Sequence, residues 1–147
     1  MRRDQLQEDF ALALHDSARA WRHALDRRLK GLGLSQASWM SIAFLARAEA
    51  PLTQIELAHC LSVEGPTVVA MVDRLQRAGL VRREIAPEDR RVRRVVLTAE
   101  GLSIYAEVKR VAVDFRHEML GGLDATDLQQ ATKLLHRLQR LTEASSR

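Results

Sequence analysis

The chain has a single cysteine, Cys60, among 147 residues. One thiol cannot close an intramolecular disulfide or furnish a cysteine-rich zinc site. Aromatic residues are scarce at 4%, and Trp21 and Trp39 are the two tryptophans. No apolar run reaches the roughly 18 residues that a membrane-crossing helix requires. The opening Met1-Arg2-Arg3-Asp4-Gln5 turns acidic again at Glu8-Asp9, with no signal-peptide core behind it. A reduced, cytoplasmic protein is therefore expected, with no membrane partner. Catalytic signatures are missing too. There is no G-x-S-x-G, no H-E-x-x-H, no P-loop and no Rossmann glycine pattern. No enzyme and no cofactor are expected.

Enough apolar material remains for a globular core, since hydrophobic residues make up 46% and charged residues 29%. The length suits one domain or two small intertwined ones. Lysine is nearly absent, because 20 of the 23 bases are Arg. Arg is the fork that matches phosphates and guanine edges. The net charge of +4 is local. Between Asp73 and Arg94 stand eight Arg and four acids, a surplus equal to that of the whole chain. Such a run is often only a solvated face, so its structural setting decides its meaning.

The periodicity supplies that setting. Leu6, Phe10, Leu14, Ala18, Trp21, Leu25 and Leu29 step by three and four along one helical face, and Gly31 and Gly33 end it. A second helix is expected from about Ser35 towards Pro51. Thr53-Gln54-Ile55-Glu56 is a capping box opening a short helix to about Cys60, with Ile55, Leu57, Ala58 and Leu61 apolar. After the turn Ser62-Val63-Glu64-Gly65-Pro66, a further helix runs through Val68, Val72 and Leu75 to Gly79, where Pro66 suits a first turn and Gly79 a C-terminal cap. β-branched runs on either side of Ala86-Pro87-Glu88-Asp89-Arg90-Arg91 read as a hairpin. Two short helices across a tight turn, followed by a basic hairpin, make a winged helix-turn-helix.

Thr98 is expected to cap another long helix, with Tyr105, Val108, Ala112, Phe115 and Met119 as its stripe. Asp124 caps a last one bearing Leu128, Ala131, Leu135, Leu138 and Leu141. The expected fold class is mainly α with a small β-hairpin wing. Residues 35–98 form the winged helix-turn-helix DNA-binding region, and residues 1–33 and 100–147 form a helical dimerisation region. The terminal stripes either pack against a second copy or fold back on their own chain; the two-fold scaffold is the simpler reading for a DNA reader.

Specific strings now resemble a known family. Asp89-Arg90-Arg91 followed by Val96-Leu97-Thr98 and Gly101 resembles the wing signature of the MarR family of bacterial regulators, as does Val72-Asp73-Arg74-Leu75 followed by Gly79-Leu80-Val81. Trp21-Arg22, Asp26, Arg28-Leu29-Lys30, Leu34, Gln36 and Trp39 look like its SlyA branch. The likeness is detailed from Trp21 to Thr98 and extends through the terminal helices as pattern. It implies a homodimeric regulator, expected to be a repressor. Such a regulator binds a pseudo-palindromic site on double-stranded DNA and releases it when a small aromatic acid binds. The first and last helices would form the dimer interface.

Site residues follow from both readings. In the recognition helix, Glu64, Gly65, Pro66, Thr67, Val68 and Met71 are expected early on the outward face, with Val68 or Met71 against a thymine methyl. The family often carries Arg where this chain has Ala70, which shifts weight to the wing and to DNA shape. Thr53 and Gln54 suit a phosphate at a helix start. Arg74 and Arg77 either hold the DNA backbone or, for Arg74, close an internal salt bridge. By resemblance Arg90 and Arg91 enter the minor groove, and Arg93 adds to the wing. Asp89 reads as a brace for a wing Arg. Arg19 and Arg22 share a face of the first helix. The branch resemblance makes them, with Trp21 and Trp39, the clamp and wall of a carboxylate crevice; the alternative is surface arginines and core tryptophans.

Two other kinds of control are weighed on the same fold. Cys60 as a redox sensor competes with Cys60 as a small core residue. The histidines His15, His23, His59, His117 and His136 are scattered, so no metal site is expected. A helical interaction protein that binds no DNA is the remaining alternative.

Overall fold

The computed structural model describes residues 2–146, which fall into two units, 1–112 and 113–147. In the first, helix α1 (Arg3–Leu29) runs into a short 3-10 turn (Lys30–Leu32). Gly33 closes the turn at φ 73°, a left-handed conformation that glycine adopts without a Cβ penalty. Helix α2 (Gln36–Arg47) starts at Ser35, whose hydroxyl accepts from the Ser38 N–H. Strand β1 (Leu52–Thr53) leads into helix α3 (Gln54–Leu61). The capping box is complete, since Thr53 Oγ1 accepts from the Glu56 N–H at 3.1 Å while Glu56 accepts from the Thr53 N–H at 3.3 Å. Helix α4 (Gly65–Arg77) follows, its axis turned 105° from that of α3. That is the crossing expected of a helix-turn-helix.

Strands β2 (Val81–Ala86) and β3 (Asp89–Leu97) form the wing. The sheet is antiparallel in the order β1-β3-β2, with Leu52 opposite Val95 and Val81 opposite Leu97. The two-residue strand β1 is not legible in the sequence, because no alternation can be read from two positions. The expected turn is also shorter than its sequence suggested. Asp89 already pairs with Ala86 through an irregularity after Ile85, so Arg90 and Arg91 belong to β3 rather than to the loop.

One core holds α2, α3, α4 and the sheet together. Ile42, Leu57, Val68, Val72, Leu75, Val81 and Val95 are its buried members. Helix α5 (Ala99–Leu120) then departs from the sheet. Thr98 Oγ1 caps it by accepting from the Gly101 N–H and donates to the Gly79 carbonyl. A Cβ at Gly101 would meet the Leu80 carbonyl oxygen at 2.1 Å, so only glycine fits where α5 crosses the end of the recognition unit.

The second unit is the end of α5 and helix α6 (Ala125–Ser145), joined through Gly121-Gly122. Asp124 caps α6 by accepting from the N–H groups of Thr126 and Asp127. Helix α6 has no buried residue, and Leu134, Leu135 and Leu141 stand 43–61% exposed. Along α1, Leu6, Phe10, Leu12 and Leu14 are likewise exposed. Among the described residues no single helix is long and apolar enough to cross a membrane.

Candidate nucleic-acid interface

The recognition helix divides cleanly by its 3.6-residue period. Val68, Met71, Val72 and Leu75 are buried, which leaves Glu64, Gly65, Pro66, Thr67, Val69, Ala70, Arg74 and Arg77 exposed. Two expectations are corrected here. Val68 and Met71 do not face outward; they step three apart into the core with Val72 and Leu75, so neither is presented to a base edge. The large apolar side chain exposed on this helix is Val69, 41% accessible. Glu64 precedes the helix without capping it.

The wing accounts for the charge in an orderly way. Each of the four acids between Asp73 and Arg94 pairs with one Arg of the same stretch. Asp73 meets Arg83 at 2.7 Å, Glu84 meets Arg82 at 2.9 Å, Asp89 meets Arg91 at 3.2 Å, and Glu88 meets Arg94. The arginines left over are Arg74, Arg77, Arg90 and Arg93. All four are exposed, and among the described residues none has an ion-pair partner. Arg93 donates to the Arg90 carbonyl at 2.6 Å. The internal salt bridge considered for Arg74 is not formed. The surplus of four charges thus sits on two arginines late in α4 and two at the start of β3.

Asp89 braces Arg91, as its acidity in a basic wing suggested. Its Oδ1 accepts from the Arg91 backbone N–H at 3.0 Å and from Nε at 3.2 Å, and its Oδ2 accepts from Nη2 at 3.3 Å. The Arg91 side chain first, and its backbone N–H second, hold the Asp89 carboxyl below its ordinary value of 3.8.

Arg83 was hidden inside the charge run. It is held by both other parts of the reading head. Its Nε donates to Gln54 Oε1 and its Nη1 to Gln76 Oε1, each at 2.7 Å, while Nη2 reaches the Val69 carbonyl at 3.3 Å and Asp73. A signal was present in the sequence. Strand residues alternate faces, and Arg83 shares the parity of buried Val81, so it points inward where its neighbour Arg82 points out.

A second feature lies where α1 meets α2 and the turn before α4. A cleft of about 340 Å³ is lined by Arg19, Arg22 and His23 from α1, by Gln36, Ala37 and Met40 from α2, and by Leu61, Val63 and Met71. Arg19 and Arg22 therefore meet in one cleft, Arg19 with a long 3.8 Å contact to Asp16. The tryptophans do not line it. Trp39 is 7% exposed, and its indole N–H donates to Asp26 Oδ1 at 3.0 Å, stapling α2 to α1. Trp21 is half-buried elsewhere on α1. Met71 takes their place as an apolar wall, and its sulfur lies 3.0 Å from the buried Ser41 hydroxyl. Cys60, weighed as a small core residue, is exposed instead. Among the described residues no three His, Cys, Asp or Glu side chains gather into a metal-holding cluster.

Comparison with known proteins agrees with this architecture. The MarR family model matches residues 32–92. The crystal structure of the transcriptional regulator PA3341 superposes with a TM-score of 0.86 at 40% identity, covering 92% of this chain and 98% of that one. AbsC, a MarR family transcriptional regulator from Streptomyces coelicolor, superposes with a TM-score of 0.82 at 24% identity over 98% of each chain. CouR from Rhodococcus jostii RHA1, solved bound to p-coumaroyl-CoA, superposes with a TM-score of 0.78 at 22% identity, covering 90% of this chain and 93% of that one. This chain is a member of the MarR family of transcriptional regulators, with the winged helix-turn-helix fold of that family.

Proposed function

We propose that the protein is a homodimeric repressor of the SlyA-like branch that binds a pseudo-palindromic DNA site and releases it when a small aromatic acid enters the α1–α2 cleft. The observation that carries the DNA half of this reading is the charge accounting. Every acid between Asp73 and Arg94 is paired, and the surplus of that stretch falls on exposed Arg74, Arg77, Arg90 and Arg93. Cations left over after internal pairing displace counterions from a polyanion. Thr53, Gln54, Thr67 and the N-terminal turn of α4 with Gly65 and Pro66 lie beside the groove, Glu64 at its entrance. Arg90, Arg91 and Arg93 form the wing contact.

Dimerisation is supported by the unburied stripes of α1 and α6, and a second copy is the occupant that a two-fold DNA site requires. In this reading residues 1–33 and 100–147 serve as scaffold and residues 35–98 as reader. The protein works in the cytoplasm, where its DNA is.

For the ligand half, the Arg19 and Arg22 guanidiniums clamp a carboxylate while Met40, Leu61, Val63 and Met71 receive the ring. The aromatic acyl thioester in CouR has the same two parts, an aryl group and an anionic remainder. Met71 makes the coupling direct, because it belongs to the recognition helix and to the cleft wall at once. A ligand pressing on Met71 displaces α4. Two recognition helices must enter major grooves roughly 34–36 Å apart, so a small displacement in each chain ends simultaneous docking.

The test is a gel shift with the DNA flanking the protein's own gene, followed by a panel of benzoate- and cinnamate-type acids. Retarded duplex that is released by one of these acids in wild type but not in Arg22→Ala supports both halves. No retardation of any duplex removes the DNA-binding reading, and retardation insensitive to the panel removes the effector.

A further inference from the structure

Arg83 takes no part in the charge surplus, yet it makes more contacts between elements than any wing arginine described above. It rises from the inward face of β2, and its side chain is 21% exposed. Its guanidinium ties β2 to two other elements through four partners. Gln54 begins α3, Val69, Asp73 and Gln76 lie on α4, and Arg83 itself is opposite Val95 in the wing sheet. A planar guanidinium holds these partners in fixed directions, which a lysine ammonium cannot do.

The chemistry of the two glutamines is informative. Both are held by Oε1, the acceptor end of the carboxamide. A carboxamide has one acceptor end and one donor end. With the oxygen engaged by Arg83, the NH2 is the end left to donate. Gln54 stands at the helix start assigned to a phosphate, and Gln76 is exposed on α4 next to Arg77. A phosphate oxygen only accepts, so the orientation Arg83 imposes is the one that suits DNA.

We propose that Arg83 is the positioning residue of the reading head: it locks α3, α4 and β2 in register and orients Gln54 and Gln76 as a pair of uncharged donors to the DNA backbone. The proposal rests on the DNA-binding reading above and assigns Arg83 no phosphate of its own.

The decisive variant is Arg83→Lys, which keeps the charge and can still pair with Asp73. It is measured by binding of a fixed duplex over a range of salt, with a melting curve alongside. Binding should weaken about tenfold or more with the salt slope unchanged, since slope counts neutralised phosphates and the glutamine donors carry no charge. Gln54→Ala combined with Gln76→Ala should cost wild type a similar factor and cost Arg83→Lys little, because residues of one network are non-additive. Wild-type affinity for Arg83→Lys, or full additivity of the combined variants, overturns the proposal. So does a binding loss accompanied by a shallower slope, which makes Arg83 a direct phosphate contact. Should Arg83→Lys fail to fold, Gln54→Glu decides. It retains an oxygen for Arg83 but presents a carboxylate to DNA, so it should bind more weakly than Gln54→Ala; binding equal to wild type overturns the proposal. Wild type that retards no duplex is a separate outcome. It removes the DNA-binding reading, and the role of Arg83 falls with it.

Discussion

Residues 52–97 and residues 125–145 are both amphipathic, and the folded chain treats them in opposite ways. In the first stretch the apolar stripes find cover, with Ile55, Val69 and Ile85 left outside. Leu57 and Val72 are fully buried, and Val81 and Val95 nearly so. Polar groups are tied as closely, through the Thr53 capping box, the Asp89 brace and the four partners of Arg83. In the second stretch α6 is capped and continuous, yet none of its side chains is buried. A helix of 21 residues gains little from propensity alone and draws its stability from packing. The reading head buries its core within one chain, whereas the leucines of α6 stay exposed.

The largest expected effect separates the two regions by their cores. Leu57→Ala removes a fully buried side chain and should cost about 2–5 kcal/mol, read as a fall in melting temperature at every protein concentration. Leu141→Ala, at a site 61% exposed, should leave the stability of a single chain within about 0.5 kcal/mol. It should instead weaken self-association in sedimentation and make the melting temperature depend more steeply on concentration. Equal and concentration-independent losses for the two variants would erase the contrast.

A second experiment stays within the reading head and separates paired from surplus arginines. Arg90→Ala with Arg93→Ala should lower the salt slope of DNA binding by about 1.8, at about 0.9 for each neutralised phosphate, with the melting temperature unmoved. Arg82→Ala, whose charge is already spent on Glu84, should change the slope by much less. A smaller effect is expected at Thr53. Thr53→Ala leaves the start of α3 uncapped and should cost about 0.5–2 kcal/mol, measured by denaturant unfolding.

The smallest effect concerns the brace at the wing. Asp89 titrates below 3.8 in the folded protein because Arg91 favours its charged form. A carboxyl with a depressed folded value contributes order above its unfolded value and loses it as the pH falls through the folded one. The Asp89–Arg91 contact should therefore persist from neutral pH past the ordinary value of 3.8 and open only as the pH falls through the lowered folded value. NMR titration of the Asp89 carboxyl should give a value under 3.8 in wild type and a return towards it in Arg91→Ala. Identical titrations in the two proteins would remove the brace.

Much of the fold was legible because its signals are local. The capping box at Thr53, the Ser35 and Asp124 caps, Pro66 in a first turn, Gly79 and the β-branched wing strands each act over a few residues. The recognition helix lies where its periodicity predicts, but its outward face is one step away from Val68 and Met71. Their side chains suit a core and a thymine methyl equally well, so only the packing of α4 on α2 and α3 told them apart. Trp39 was similarly ambiguous until its N–H met Asp26. Ile55 shows the opposite error, an expected apolar position that stands 81% exposed.

The sequence by itself determined the order of elements, the location of the charge surplus and the basic wing, because periodicity, capping and charge are properties of neighbours along the chain. Tertiary structure decided which charges remain over. Arg83 and Asp73 are ten residues apart in sequence and 2.7 Å apart in space, and Met71 reaches the arginine cleft of α1 only when α4 is folded. Pairing is a matter of distance in three dimensions, so a run of eight arginines became four ion pairs and four free cations only once the chain had closed on itself.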